Sequence, residues 1–289
     1  MSEQGSSNSD NSAYPLDAEN VAEMARLIRQ ARVLTDLTGL LPADVAITSG
    51  YRVLDIGCCP GEWTLAVAEQ YSGVDITGID ISEMMTQYAS FLARERELHH
   101  FTHFLVMDAR GPLAFPENSF DLIHARTITG FLSKEDWPKL LAECFRILKP
   151  GGRLIGVESD DLGVTTSPSM TCLLSLGMIA LHRVGHYFTA EGEHSGLAAV
   201  HPQLLRNAGF ADVKREAFAL DFSAGSAAHK DMAQNWATIF ELGAPFLIRL
   251  GLGNEGELAV LRARAIHEAR SADFCAVLFL QRVWGQKVG

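Results

Sequence analysis

The chain has 289 residues, 47% of them hydrophobic, and a formal net charge of −11. This length allows one large domain with insertions and a sizeable core, and the acidic charge disfavours general binding to nucleic-acid phosphates. The polar first residues do not form a signal peptide, and no run of about 18 uncharged apolar residues occurs. We therefore expect a cytoplasmic protein without a membrane segment.

The N-terminal region predicts a tail followed by a helix. Residues 1–13 are rich in Ser, Asn and Gly and have almost nothing to bury, so we expect them to be disordered. Asp17 is predicted as the helix N-cap, with Glu19 in the first turn. Because residues 14–48 precede the first strand, they are expected to form a lid over a site, or else to pack against the sheet.

From Tyr51 onward, strand and helix patterns alternate, which predicts a parallel sheet with helices on both faces. The expected strands are Tyr51–Ile56, Val74–Asp80, His103–Asp108, Ser119–Ala125 and Arg153–Glu158. The expected helices are Gly61–Gln70, Ser82 to Glu97, and Ser133 to Leu148 with Asp136 in a variant of the capping box.

After the fifth strand the alternation stops. Residues 165–200 and 222–270 are expected to be helical insertions over the site. Two further helices are expected at Thr171–Phe188 and His201–Ala208, and two further strands at Asp212–Asp221 and Ala272–Trp284. The chain is therefore predicted to form one domain over residues 14–289, an α/β fold with a doubly wound, seven-stranded, mostly parallel sheet.

The turn after the first strand contains glycines that would let a ligand approach the backbone. Gly57 and Gly61 are present, but Cys59 stands in the middle and no third glycine follows. A dinucleotide site would have the pattern G-x-G-x-x-G, so a pyrophosphate ligand is disfavoured.

Acidic residues end three successive strands, where ligands bind in open parallel sheets. Asp55 follows the first strand's apolar run, Asp80 ends the second and Asp108 ends the third. Asp80 can accept hydrogen bonds from both hydroxyls of a ribose, and Asp108 can accept one from an adenine amine. Asp55 favours a positive charge nearby. The set predicts a pocket for an adenosine that carries a positive tail.

These motifs resemble those of the class I S-adenosylmethionine (SAM)-dependent methyltransferases. VLDIGCCPGEW is similar to the family's first motif, GIDIS to its second and MDA to its third. FDLIHAR, ECFRILKPGGRLIGVE and LLRNAGF are similar to later motifs, and the resemblance is closest over residues 50–160. It implies a Rossmann-like methyltransferase fold, SAM as cofactor, and methyl transfer to an O, N or C atom of a small, fairly apolar acceptor.

The resemblance also implies which residues contact the cofactor. They are Tyr14, Asp55, Gly57, Cys58, Cys59, Gly61, Trp63, Asp80, Ile81, Met85, Met107, Asp108, Ala109, Ala125 and Arg126. Asp55 would face the ammonium group, and Ala125 and Arg126 would lie near the methionine end. Tyr14 of the lid would approach the sulfonium with its π face. Cys59 departs from the family, which generally has Gly there, and its thiol is expected to narrow the pocket.

Methyl transfer needs in-line alignment and exclusion of water, and it needs a base only if the acceptor carries a proton. The base candidates are His182, His186, Tyr187, His194 and His201, of which His186 and His194 are preferred because they flank the turn GEHSG.

Glu158 with Asp160 or Asp161 would be a metal pair, but no further ligand pattern is evident and no metal is expected. The irregularly spaced cysteines predict neither disulfides nor a zinc site.

Two other functions fit the same motifs. Some members of this family bind SAM without transferring its methyl group and act as cyclases or regulators. An NAD-dependent oxidoreductase is the second alternative, although the glycine pattern argues against it. The apolar insertions favour an apolar acceptor but equally fit additional core or a dimer contact. Either a monomer or a homodimer is expected.

Overall fold

The computed structural model describes residues 14–192 and 194–288, so the tail predicted at residues 1–13 lies outside the described residues. The helices are α1 (Val21–Thr38), α2 (Glu62–Gln70), α3 (Glu83–Glu95), α4 (Trp137–Ile147), α5 (Pro168–Arg183), α6 (Leu197–Asn207), α7 (His229–Leu242), α8 (Ala244–Arg249) and α9 (Glu255–Glu268). The strands are β1 (Arg52–Ile56), β2 (Asp75–Asp80), β3 (Thr102–Val106), β4 (Phe120–Arg126), β5 (Leu148–Ser159), β6 (Val164–Thr165), β7 (Phe210–Asp221) and β8 (Ala276–Lys287).

One mixed sheet contains all these strands. They follow the order β3-β2-β1-β4-β5-β8-β6, and β7, which is not part of this order, also pairs with β8. The first five strands pair in parallel, and β8 pairs antiparallel with β5, β6 and β7. The predicted mostly parallel, Rossmann-like sheet is confirmed. Its seven longer strands are joined by the two-residue β6, which the sequence did not indicate.

Both faces of the parallel strands are buried because their apolar residues alternate between two clusters. Leu54 and Ile56 belong to one cluster and Val53 to another, and all three side chains are inaccessible to solvent. Each such side chain contributes about 1.5–3 kcal/mol relative to exposure. This burial fixes where β1 ends, and therefore where the residues that follow it lie.

The helices of the two predicted insertions form a core of their own. Side chains of α1, α5, α7, α8 and α9 pack together and against β8, with Leu34, Leu173, Trp236, Leu258 and Leu280 among the buried members. These helices bury their apolar faces against one another, next to the antiparallel part of the sheet.

Two predicted helix starts were wrong. The N-cap of α1 is Asn20, whose side chain accepts hydrogen bonds from two backbone N–H groups of the first turn, whereas Asp17 closes the preceding turn. Helix α4 begins at Trp137, because Ser133 donates to the Asp136 carboxylate in the turn before it. In both cases a polar side chain that suits an N-cap bonds within a turn instead.

Candidate functional site

A cavity, partly open to solvent, lies at the carboxyl ends of the parallel strands, where open sheets bind ligands. We call it the main cavity. Most of the predicted cofactor residues line it, namely Tyr14, Gly57, Cys59, Asp80, Ile81, Met85, Met107, Asp108, Ala109 and Arg126. The other lining residues are Ala18, Arg26, Leu27, Gln30, Ile79, Arg110, Thr127, Gly130 and Phe131.

A smaller cavity, called the side cavity here, shares a wall with the main one. Its lining includes three further predicted residues, Asp55, Cys58 and Trp63. Residues that line both cavities are Leu27, Gln30, Gly57, Cys59, Arg126 and Thr127.

Ala125 and Gly61 line neither cavity, although both were predicted to contact the cofactor. Ala125 is buried in the sheet. Gly61 begins α2 with a φ of 83°, and a Cβ at this position would lie 2.9 Å from the Cβ of Ala89 and 3.0 Å from the ring of Phe104. Its glycine is therefore required by packing and backbone conformation.

We expect Gly61→Ala to lower the free energy of unfolding by about 2 kcal/mol, measured by urea denaturation. About half of this loss comes from the positive φ and the rest from the steric contacts. Gly50→Ala is the matched control, because Gly50 has a φ of 87° and no atom within 4 Å of its would-be Cβ. Equal losses for the two variants would contradict the packing explanation.

Asp80 lies on the main cavity with its carboxylate held by the backbone. One oxygen accepts from the N–H of Ser82 and the other from the N–H of Cys59, each at 2.9 Å. Burial raises the pKa of Asp80. Each oxygen retains a lone pair, so the carboxylate can accept two neighbouring hydroxyls.

Cys59 adopts a φ of 53°, in the left-handed region that favours glycine. This conformation turns its N–H toward Asp80, which explains why a glycine suits the position. The side chain lines both cavities, and burial raises the pKa of its thiol, so it stays protonated.

Asp108 also lies on the main cavity, but its carboxylate is shared with an arginine that the sequence analysis missed. The guanidinium of Arg110 donates to both oxygens, at 3.0 Å from Nε and 2.7 Å from Nη2. This pairing holds the pKa of Asp108 below its usual value. In the sequence Asp108-Ala109-Arg110 the two charged residues are two positions apart, and this spacing was the available signal for the pair.

Asp55 is buried at the side cavity and fixed by two side chains. One oxygen bonds with Nδ1 of His124 and the other accepts from the hydroxyl of Thr64, each at 2.8 Å. The ring of His124 stacks on Trp63 with centroids 3.7 Å apart. Burial lowers the pKa of His124.

A buried polar network closes the side of the main cavity formed by α1. The hydroxyl of Tyr14 donates to Glu23 at 2.6 Å, and the guanidinium of Arg26 donates to both oxygens of Glu23. Arg26 also donates to Asn235 of α7, at 2.9 Å, and to Gln30. The helical spacing of Glu23, Arg26 and Gln30 was the only sequence signal for this network.

The preferred base candidates do not reach the site. His186 is buried with Nδ1 on the carbonyl oxygen of Thr129 at 3.0 Å, and His194 lies beside Asp160 at 3.5 Å. Neither residue lines either cavity. His182, Tyr187 and His201 do not line them either, and burial lowers the pKa of His201 to about 4.

Glu158 does not face the mouth of the site, as the metal-pair alternative required. It is buried and accepts hydrogen bonds from the N–H of Ile128 at 2.8 Å and from the hydroxyl of Thr129 at 2.7 Å. It thereby holds the 3₁₀ turn 128–130, which ends at the cavity wall. Within residues 14–192 and 194–288, no group of three or more His, Cys, Asp or Glu side chains is arranged to hold a metal ion.

The two insertions, which were predicted to lie over the acceptor site, do not contribute to the lining of the main cavity. No described residue of 165–200 or 222–270 lines it, because the insertion helices bury their apolar faces in their own core. The cover comes from residues 14–30 instead. No helix in the described part of the chain is long and apolar enough to cross a membrane.

Comparison with known proteins identifies the region that carries the site. Residues 53–152 match the family described as "Methyltransferase domain". The demethylmenaquinone methyltransferase of Listeria welshimeri is 33% identical over 115 residues, which is 39% of this chain and 47% of the relative. That of a Geobacillus species is 28% identical over 201 residues, 64% of this chain and 81% of the relative. The chain thus spans about half the length of the Listeria relative.

Solved structures share the fold at low sequence identity. Phosphoethanolamine N-methyltransferase 2 of Haemonchus contortus, in complex with SAM, is 18% identical with a TM-score of 0.51, over 90% of this chain and 52% of that one. The YcgJ protein of Bacillus subtilis is 18% identical with a TM-score of 0.52, over 91% of this chain and 99% of that one.

Proposed function

This chain belongs to the class I SAM-dependent methyltransferase family, and from that premise we propose that it transfers the methyl group of SAM to a small acceptor. The main support is the meeting of Asp80, Asp108 and the Gly57 turn at one cavity, at the carboxyl ends of successive parallel strands. Their residue types match the ribose, the adenine amine and the methionine end of SAM in that order.

The residues present fit the cofactor. Asp80 has one free lone pair on each oxygen for the two ribose hydroxyls. Ile81, Met85 and Met107 provide apolar contacts for the adenine beside Asp108. The side cavity continues from the Gly57 turn to Asp55, which offers a negative charge to the ammonium group.

The chain's part in the reaction is binding, alignment and exclusion of water. SAM supplies a methyl group on a reactive sulfonium. The segment from Tyr14 to Gln30 covers the main cavity, and its buried Glu23–Arg26 pair ties it to α7 through Asn235. No histidine of the described residues lines the main cavity, so the proposed reaction uses positioning without a histidine base.

We further propose a fairly apolar acceptor. Leu27, Phe131 and Ile79 give the main cavity apolar walls beyond the cofactor-binding carboxylates. The relatives with 33% identity are named for methylating demethylmenaquinone, but the similarity covers only 39% of this chain. The acceptor proposal therefore rests on the cavity walls and includes apolar quinones as one class to test.

The test combines calorimetric binding of SAM with a product assay for S-adenosylhomocysteine (SAH) over a panel of apolar acceptors. Binding and acceptor-dependent SAH formation are expected. Binding without SAH formation from any acceptor would favour the non-methylating alternative. Failure to bind SAM, together with a nicotinamide-dependent absorbance change, would favour the oxidoreductase.

The lid is fastened to the cofactor region by Glu19. Its two carboxylate oxygens accept from the N–H groups of Glu83 and Met84, 3.0 and 3.1 Å away, at the N-terminus of α3. A carboxylate at this position stabilises the helix end by about 1 kcal/mol. We therefore expect Glu19→Ala to speed SAH dissociation by about fivefold, measured by stopped-flow fluorescence.

Glu83→Ala is the matched control for the lid. Glu83 belongs to the same first turn, but its side chain accepts from Gln87 on the exposed face of α3 and not from the lid residues that the structure describes. It should leave the dissociation rate unchanged. Equal effects of the two substitutions would show that helix stability, and not the lid contact, controls release.

A further inference from the structure

A groove that is open to solvent lies on the helices of the two insertions. Its apolar lining includes Leu176 of α5, Leu252 of the turn before α9, and Val260 and Leu261 of α9. None of the residues that line it also lines the main cavity or the side cavity. The proposed function therefore assigns no role to this groove.

Along α9 the groove is apolar in its middle and charged at both ends. Glu257, Val260, Leu261 and Arg264 are spaced i, i+3, i+4 and i+7, so they lie on one face of the helix. The seven positions from Glu257 to Arg264 span about 10 Å along the helix axis. Val260, between the two charges, is 52% exposed. This face thus presents an acid, an apolar centre and a base in a row.

The two charges of this face form no ion pair among the residues that the structure describes. One oxygen of Glu257 accepts from the N–H of Asn254 in the capping box of α9, and the other oxygen is left for a further donor. Arg264 lies near Glu268, but both oxygens of Glu268 already accept from two serines at the start of α5. The acid and the base can therefore each take a partner from outside.

A face with an acid at one end and a base at the other is complementary to a reversed copy of itself. We propose that a second copy of this chain binds at the groove, with the two α9 helices antiparallel about a two-fold axis between Val260 and Leu261. Glu257 and Arg264 are equally far from that axis, so each Glu257 pairs with the Arg264 of the other copy. Each exposed Val260 then packs opposite Leu261 of the other copy.

The charge pattern favours a second copy over a different partner, because one set of residues supplies both halves of the contact. The net charge of −11 on each chain opposes association over long distances. At contact distance, two Glu–Arg pairs and the burial of the apolar centre offset this repulsion. The inference does not depend on methyl transfer, since the groove shares no lining residue with either cavity.

The test is sedimentation equilibrium of the full chain and of two charge-reversal variants. Wild type is expected to be a dimer. Arg264→Glu and Glu257→Arg should each weaken self-association by at least about 100-fold, because like charges then meet at both ends of the contact. An equimolar mixture of the two variants should regain the wild-type affinity, because every acid of one variant then faces a base of the other.

Glu255→Arg is the matched control. It makes the same change of net charge in the same first turn of α9, but Glu255 does not line the groove, so the dimer should persist. Arg264→Glu leaves the capping box intact, so its result does not depend on the start of the helix.

Four results would overturn the inference. They are a wild type that stays monomeric at every concentration, single variants that remain dimeric, a mixture of the two variants that stays monomeric, and an equal loss of association in Glu255→Arg. The last result would show that net charge, and not pairing at the groove, controls association.

Discussion

Replacing Asp80 with alanine is expected to weaken SAH binding by at least about 100-fold, because two charged hydrogen bonds to the ribose are lost. The carboxylate lies on the main cavity and is held from behind by the N–H groups of Cys59 and Ser82. This preorganisation means that little side-chain entropy is lost when the ribose binds. Calorimetric titration with SAH measures the effect.

Two further variants test whether such a loss of affinity comes from the hydrogen bonds of the Asp80 carboxylate. Asp80→Asn keeps the shape and one acceptor oxygen, so an intermediate loss of about tenfold is expected. Asp75→Ala is the matched control, since Asp75 starts the same strand at its opposite end and its side chain is 46% exposed. An Asp80→Ala variant that binds within threefold of wild type would mean that the ribose lies elsewhere.

The second large effect is a pH-dependent loss of stability caused by Glu158. Burial raises the pKa of this carboxyl from 4.5 to about 7 in the folded protein. A raised pKa means that the protonated group is preferred by the folded state, so its stabilising contribution is complete below pH 4.5. The contribution is lost as the pH rises through about 7, and the 2.5-unit shift corresponds to about 3 kcal/mol.

Glu158→Gln isolates this contribution, because glutamine stays neutral in the same position. Between pH 4.5 and pH 8, the unfolding free energy of wild type should fall by about 3 kcal/mol relative to that of Glu158→Gln, measured by urea denaturation at each pH.

Glu143→Gln provides the opposite case. Hydrogen bonding to Arg146 lowers the pKa of Glu143, so its contribution is already complete above pH 4.5 and should stay constant over this range. If the wild-type and Glu158→Gln curves run parallel from pH 4.5 to 8, Glu158 has an ordinary pKa. In that case the turn 128–130 is held by a carboxylate throughout.

The fold and the core of the site could be predicted from local pattern. Short apolar runs bounded by turn residues identified β1, β2 and β4, because a strand buried on both faces has a nearly continuous apolar sequence. Since parallel strands end at the same edge, Asp80 and Asp108 were correctly expected to lie near one another. The same reasoning placed the turn with Gly57 and Cys59, which follows β1, at this edge of the sheet.

Helix caps and the cover of the cavity were harder to predict. Asp17 and Asn20 are both suitable N-cap residues, and the choice between them depends on where the chain turns into α1. The apolar sequences of the insertions do not specify what they pack against. Composition alone allows their helices to cover either the sheet edge or the cavity. Their packing against α1 and β8 determines where they lie in the structure.

The sequence by itself determined the parallel sheet and the polar residues at its strand ends, since both depend on periodicity within about ten neighbouring residues. Only the tertiary structure decided which polar groups pair. Arg26 meets Asn235 across 209 positions, Glu158 meets Thr129 across 29, and His186 meets the backbone carbonyl of Thr129 across 57. A side chain's partner depends on the distance and direction between two groups in space, which the spacing along the chain does not encode.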